Sequence, residues 1–112
     1  MADSVAYKVL TAEELDALNR GGWRGSALDV ADGFIHLSAA AQLTETVDKW
    51  FAGRSDLVVA AIHVAALGEA VRWEPSRGGA LVPHVYGTLG PEHVLAAAPL
   101  ARDADGEVAR PA

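Results

Sequence analysis

The run Leu57-Val58-Val59-Ala60-Ala61-Ile62-His63-Val64 constrains the fold most strongly. A strand with one wet face alternates apolar and polar residues, whereas a run that is apolar almost throughout must be covered on both sides. Its β-branched content, and a length short for a helix, select a strand. The rest of the chain must therefore supply layers for both faces of a sheet. With 112 residues, roughly 65% of the unfolded surface can be buried, enough for one real core.

Those layers are legible upstream and downstream. Residues 5–10 read as a first strand. Thr11-Ala12-Glu13-Glu14 is a capping box: a threonine caps the helix and a glutamate three residues on reaches back. A helix is expected over residues 12–20, ended by Gly21-Gly22. Residues 23–30 read as irregular or extended, with Trp23 as a partly buried lid or a stacking platform. Asp32-Gly33-Phe34-Ile35-His36-Leu37-Ser38 reads as a turn, a short strand and a helix start. A second helix is expected over residues 39–52, with Leu43, Val47, Trp50 and Phe51 on its buried face. After residues 57–64, strands are expected around Val71-Arg72-Trp73-Glu74, along Leu81-Val82-Pro83-His84-Val85-Tyr86-Gly87 and through His93-Val94-Leu95. Pro83 argues for an edge position or a strand start. Helices early and strands late indicate an α+β domain. One domain over residues 1–101 is expected, with two early helices on a mixed, mostly antiparallel sheet and a polar tail from residue 102 to residue 112.

Composition narrows the function classes. The net charge is −6 and no basic stripe occurs, which argues against nucleic acid. Arg20, Arg24, Arg54, Arg72 and Arg77 fall in or beside expected loops, where two of them can meet a small anion. No cysteine is present, so a disulfide or thiolate zinc site is excluded. Met1-Ala2-Asp3-Ser4 has no basic or apolar segment; neither a secretion signal nor a membrane span is expected, and the cytoplasm is the default. Ser26 and Ser38 lack a Gly-x-Ser-x-Gly elbow, and neither a phosphate loop nor a dinucleotide fingerprint occurs.

Gly33-Phe34-Ile35-His36-Leu37-Ser38, Trp73-Glu74 and Pro83-His84-Val85-Tyr86-Gly87, in this order and spacing, resemble the bacterial family called domain of unknown function 952. Ser26 to Asp29, the Gln42 helix, Trp50-Phe51-Ala52-Gly53 and Asp56-Leu57-Val58 extend the resemblance over nearly the whole chain. It implies a compact α+β fold distantly similar to ADP-ribosyltransferase-like domains, with their split sheet. By that resemblance His36 with Ser38 would bond a ribose of NAD, Tyr86 or Trp73 would stack on the base, and Glu74 would stabilise a ribosyl cation.

Four readings follow. In the first, His36, Trp73, Glu74, His84 and Tyr86 line a pocket for a small polar metabolite or nucleotide, with Ser38 beside it and Arg72 or Arg77 available for an anion. In the second, His36 and Glu74 are catalytic in an NAD-dependent ADP-ribosyl transferase or hydrolase, because a fixed carboxylate lowers the energy of a positively charged sugar. In the third, His36, His84 and Glu74 hold a metal ion, with His63 or His93 as a spare. In the fourth the same residues are purely structural. Composition and spacing leave the cofactor, the oligomeric state and any partner protein unspecified.

Overall fold

The computed structural model describes residues 4–54, 56–76 and 78–111. Its centre is a three-stranded antiparallel sheet in the order β1-β3-β6. The apolar run forms β3 (Leu57–His63), flanked by β1 (Val5–Thr11) and β6 (Val94–Pro99). The β1–β3 register runs from Val5 opposite His63 to Thr11 opposite Leu57, and a register shift at Ala61/Ile62 bends the β6 side. As the run requires, each face of this sheet feeds its own apolar cluster. Ala6, Leu10, Ala60 and Ile62 pack with Leu18, Trp23, Ile35, Val85 and Leu89. Val9, Leu57 and Val59 pack with Leu43, Val47 and Val108 on the other side.

A second antiparallel sheet, in the order β2-β5-β4, covers the first cluster. It consists of β2 (Ile35–His36), β5 (Leu81–Val85) and β4 (Val71–Pro75). The two sheets touch where the chain leaves β2: Tyr7 and Ser38 exchange backbone hydrogen bonds, both 2.8 Å long. All strand pairings among the described residues are antiparallel, so the mixed component expected from sequence is not found there.

Helix α1 (Ala12–Asn19) carries the full capping box: Glu14 N–H donates to Thr11 Oγ1 at 3.0 Å and Thr11 N–H to Glu14 Oε1 at 2.8 Å. A short helix α2 (Ala27–Asp32) occupies the segment expected to be irregular. Its own capping box, Ser26 with Asp29, starts it, and Gly33 at φ +88 ends it in the left-handed region. The second expected helix is shorter than residues 39–52. A 3-10 turn at Ala40–Gln42 precedes α3 (Leu43–Trp50).

Four further expectations are corrected. Trp50, read as a core anchor, is 66% exposed. It ends α3, and Phe51, just past the helix, packs against the second cluster. Trp23 is no exposed platform, and it is more fully buried than a partly covered lid. It lies in the first cluster, and its backbone pairs with Leu89. Pro83 sits in the central strand of its sheet rather than at an edge. Its carbonyl accepts Leu37 N–H at 3.1 Å. The absent N–H thus faces the same side, where β2 has already ended and the chain is crossing to β1. Finally, residues after Arg102 are mostly exposed, as their polarity suggests, yet they fold back. Val108 is buried, its N–H donates to Thr44 Oγ1 at 2.9 Å, and Arg102 reaches Asp48 at 2.7 Å. No helix among the described residues is long and apolar enough to cross a membrane.

The contrast along α3 is measurable. Leu43→Ala is expected to cost about 2–5 kcal/mol in urea unfolding, because it empties a buried site. Trp50→Ala should stay within about 0.5 kcal/mol, the range of surface changes.

Candidate functional site

The period of two along a strand sorts the second sheet into two faces. Register places Arg72 opposite His84, His36 opposite His84, and Glu74 opposite Val82. Phe34, two residues before His36, and Tyr86, two after His84, extend that face. Its aromatic rings form one group. Phe34 lies 4.1 Å from His84, 4.7 Å from His36 and 5.2 Å from Tyr86 by ring centroids, and the two imidazoles are 5.4 Å apart. Arg72 places its guanidinium 4.7 Å from the centre of the Tyr86 ring. Glu74 closes the group. Its Oε1 accepts from Tyr86 Oη at 2.6 Å and faces His84 Nδ1 at 2.7 Å.

His36, Glu74, His84 and Tyr86 thus lie together on one face. Trp73 does not join them: it pairs with Pro83, one residue out of phase, and belongs to the opposite face. Ser38 is close in sequence but serves the scaffold. It is buried, and its hydroxyl meets Thr46 Oγ1 at 2.8 Å. Arg77 lies outside the described residues. The other histidines are elsewhere: His63 closes β3 opposite Val5, and His93 Nδ1 accepts Gly90 N–H at 3.0 Å. Among the described residues no set of three His, Asp or Glu side chains is placed to hold a metal ion.

The group is an open face rather than an enclosed pocket. The side chains of His36 and Glu74 are 35% and 34% exposed, and only His84, at 11%, is nearly covered. A hollow of about 430 Å³ opens elsewhere, between α3 and the C-terminal segment, and is lined by Thr44, Asp48 and Glu107. It contains no aromatic residue and none of the groups described above.

What the sequence did not reveal is the support beneath His36. Asp29, 1% exposed, takes four donors on two oxygens. Oδ2 accepts from Lys8 Nζ at 2.8 Å and from Ser26 N–H at 2.9 Å. Oδ1 accepts from His36 N–H at 3.1 Å and meets His36 Nδ1 at 2.6 Å. Lys8, itself buried, also donates to the His36 carbonyl at 2.9 Å. Burial alone would raise the Asp29 carboxyl. The Lys8 charge, with hydrogen bonds from Lys8, His36 and Ser26, outweighs burial and holds it below its ordinary value. The opposite ring nitrogen of His36, Nε2, lies 3.1 Å from Asp32 Oδ2. Both nitrogens of His36 therefore face carboxylates. Two signals pointed here: the spacing Ser26-x-x-Asp29 of a capping box, and Lys8 as a charge in an otherwise apolar strand.

Glu74 is held below the ordinary carboxylate range by the Tyr86 hydroxyl and then by His84, and the Tyr86 hydroxyl is pushed up by Glu74 in turn. An ionised Glu74 accepts only. His84 Nδ1 is then the donor, and in the neutral ring Nε2 keeps a lone pair.

Two outcomes test this wiring. Asp29→Ala is expected to cost roughly 3–5 kcal/mol, since it leaves the Lys8 ammonium buried without its counter-charge. Because the folded carboxyl of Asp29 titrates below its ordinary 3.8, its contribution is fully present above that pH and is lost as pH falls below it. Acid unfolding followed by circular dichroism should show a shallower loss of stability below pH 3.8 in Asp29→Asn than in the parent chain.

The chain matches the family model "Protein of unknown function (DUF952)" over residues 9–97. It is similar to protein CC0527 from Caulobacter crescentus. The crystal structure of that protein is 48% identical, covers 94% of this chain and 93% of its own, and superposes with a TM-score of 0.83. A double-mutant crystal form of CC0527 gives 47% identity, the same coverage and a TM-score of 0.83. Its solution NMR structure gives 48%, 95% and 91% coverage, and 0.78. Comparison with curated proteins found no match. With the model spanning most of its length, the chain belongs to the DUF952 family.

Proposed function

We propose that this protein is a binding module for a small polar metabolite, held on the outer face of the second sheet by Phe34, His36, Glu74, His84 and Tyr86. The observation that carries this reading is His84. It is 9% exposed, its Nδ1 is fixed by Glu74, and its Nε2 has no partner among the described residues. Rigid strands hold it, and two half-open rings flank it, which is how binding sites preorganise a polar contact. His36, with both nitrogens on carboxylates, acts as a wall of the site and keeps Phe34 and the β2 backbone in place.

A second reading, an NAD-dependent ADP-ribosyl transferase or hydrolase, is supported by Glu74. It is a half-exposed carboxylate kept ionised beside an aromatic ring. In that chemistry the bond between nicotinamide and ribose breaks, the pair of electrons leaves with nicotinamide, and an acceptor hydroxyl or water adds to the sugar. Glu74 would face the charge that builds on the ribose, and Glu74→Gln would slow the reaction about a hundredfold. Incubation with NAD and chromatography for free nicotinamide decides it: release that Glu74→Gln abolishes favours the enzyme, and intact NAD removes it.

For the binding reading, a panel of small metabolites is screened by amide NMR. Saturable shifts at Ile35, His36, His84 and Val85, lost in His84→Phe with the fold retained, are expected. Shifts confined to the hollow beside α3 would overturn it.

A further inference from the structure

Resting on the binding reading above, the geometry points to a ligand class: a neutral, donor-rich ring such as a cyclic polyol or free sugar, rather than an anion. The face is rich in open acceptors. His84 Nε2 has no partner among the described residues. Among the described residues Glu74 accepts on Oε1 alone, leaving Oε2 open, and Asp32 turns only Oδ2 to His36. Most of its donors are already engaged, and the exposed Arg72 guanidinium, stacked on Tyr86, is the exception. The Tyr86 hydroxyl donates to Glu74, Lys8 to Asp29 and to the His36 carbonyl, and both nitrogens of His36 face carboxylates.

His84 Nε2 stays within reach of solvent, so a ligand hydroxyl there takes the place of a water molecule on a fixed acceptor. Three acceptors beside two aromatic rings match a ring that presents several hydroxyls and one apolar side. A phosphate or carboxylate meets the opposite: acceptors against acceptors, with Asp32 and Glu74 adding like charge. Of the two cations beside this face, Lys8 is buried against Asp29, and the Arg72 guanidinium lies over Tyr86. Stacked there, Arg72 orders the ring that the sugar would lie against, and its N–H groups are what the phosphate series of the test probes.

The test titrates the full chain with ribose, xylose and myo-inositol in one series, and with inorganic phosphate and adenosine monophosphate in another. The reporters are the imidazole nitrogen resonances of His84 and the amides of Ile35, His36 and Val85. The polyols are expected to move His84 Nε2 saturably, and Glu74→Gln and His84→Gln each to weaken binding about tenfold, the effect of one hydrogen bond. Circular dichroism confirms the fold of each variant, and Glu74→Gln, at a half-exposed position, serves if His84→Gln does not fold. Shifts with phosphate or the nucleotide and none with polyols overturn the ligand class while leaving the binding reading in place. No shift with either series at millimolar concentration overturns the ligand class, and the metabolite panel then judges the binding reading by itself.

Discussion

The buried carboxylate of Asp29 is the interaction on which the rest of the molecule turns. It completes the capping box of α2 by accepting from Ser26 N–H, is a counter-charge for Lys8 on β1, and anchors both the backbone and the ring of His36 on β2. Strand β1 and the distant α2–β2 segment are therefore registered against one another by one group. Its cost of burial is offset only because four donors meet it. Without that node the two sheets would share an apolar cluster, but little would set how the polar face is oriented over it.

A division of labour follows. The apolar run of β3 decides that there are layers, since both of its faces must be covered. Ile35, Leu37 and Val85 decide that the second sheet lies on the first cluster. The polar residues of β2, β4 and β5 are then left pointing outward by the period of the strands alone. His84 is an exception to free solvation, for Phe34 stacks on it and Glu74 fixes one nitrogen. Preorganisation of this face thus comes from ring packing and carboxylate pairs, while the hydrophobic core provides the platform.

Much of this was legible in the residues. The Thr11–Glu14 box and the buried strand at 57–63 follow from spacing and apolar pattern, whereas the grouping of His36, Glu74, His84 and Tyr86 depends on strand pairing that the sequence left undecided. Less legible were features decided by tertiary contacts. Trp50 has the helical spacing of a core residue, but α3 ends at that residue and Phe51 occupies the inward position. Pro83 reads as an edge signal, and only the two-residue length of β2 makes a central place acceptable. Trp73 sits one residue from Glu74, and a single step along a strand changes the face. Asp29 carried a local signal, the Ser26-x-x-Asp29 spacing. Its pairing with Lys8, 21 residues earlier, is a long-range event that no local pattern encodes.

Gly25 shows how far the influence of that node extends. Its φ is +101, and a Cβ built there would fall 2.5 Å from Asp29 Cβ and 2.6 Å from Asp29 Oδ2. Backbone conformation and space both exclude a side chain. A methyl group at this loop position, which touches neither imidazole, would displace the carboxylate and carry the disturbance through His36 into the ring cluster. A turn that contributes no functional atom is in this way a guarantor of the geometry several residues away, and evolutionary drift at residue 25 is tied to the fate of the face it never contacts.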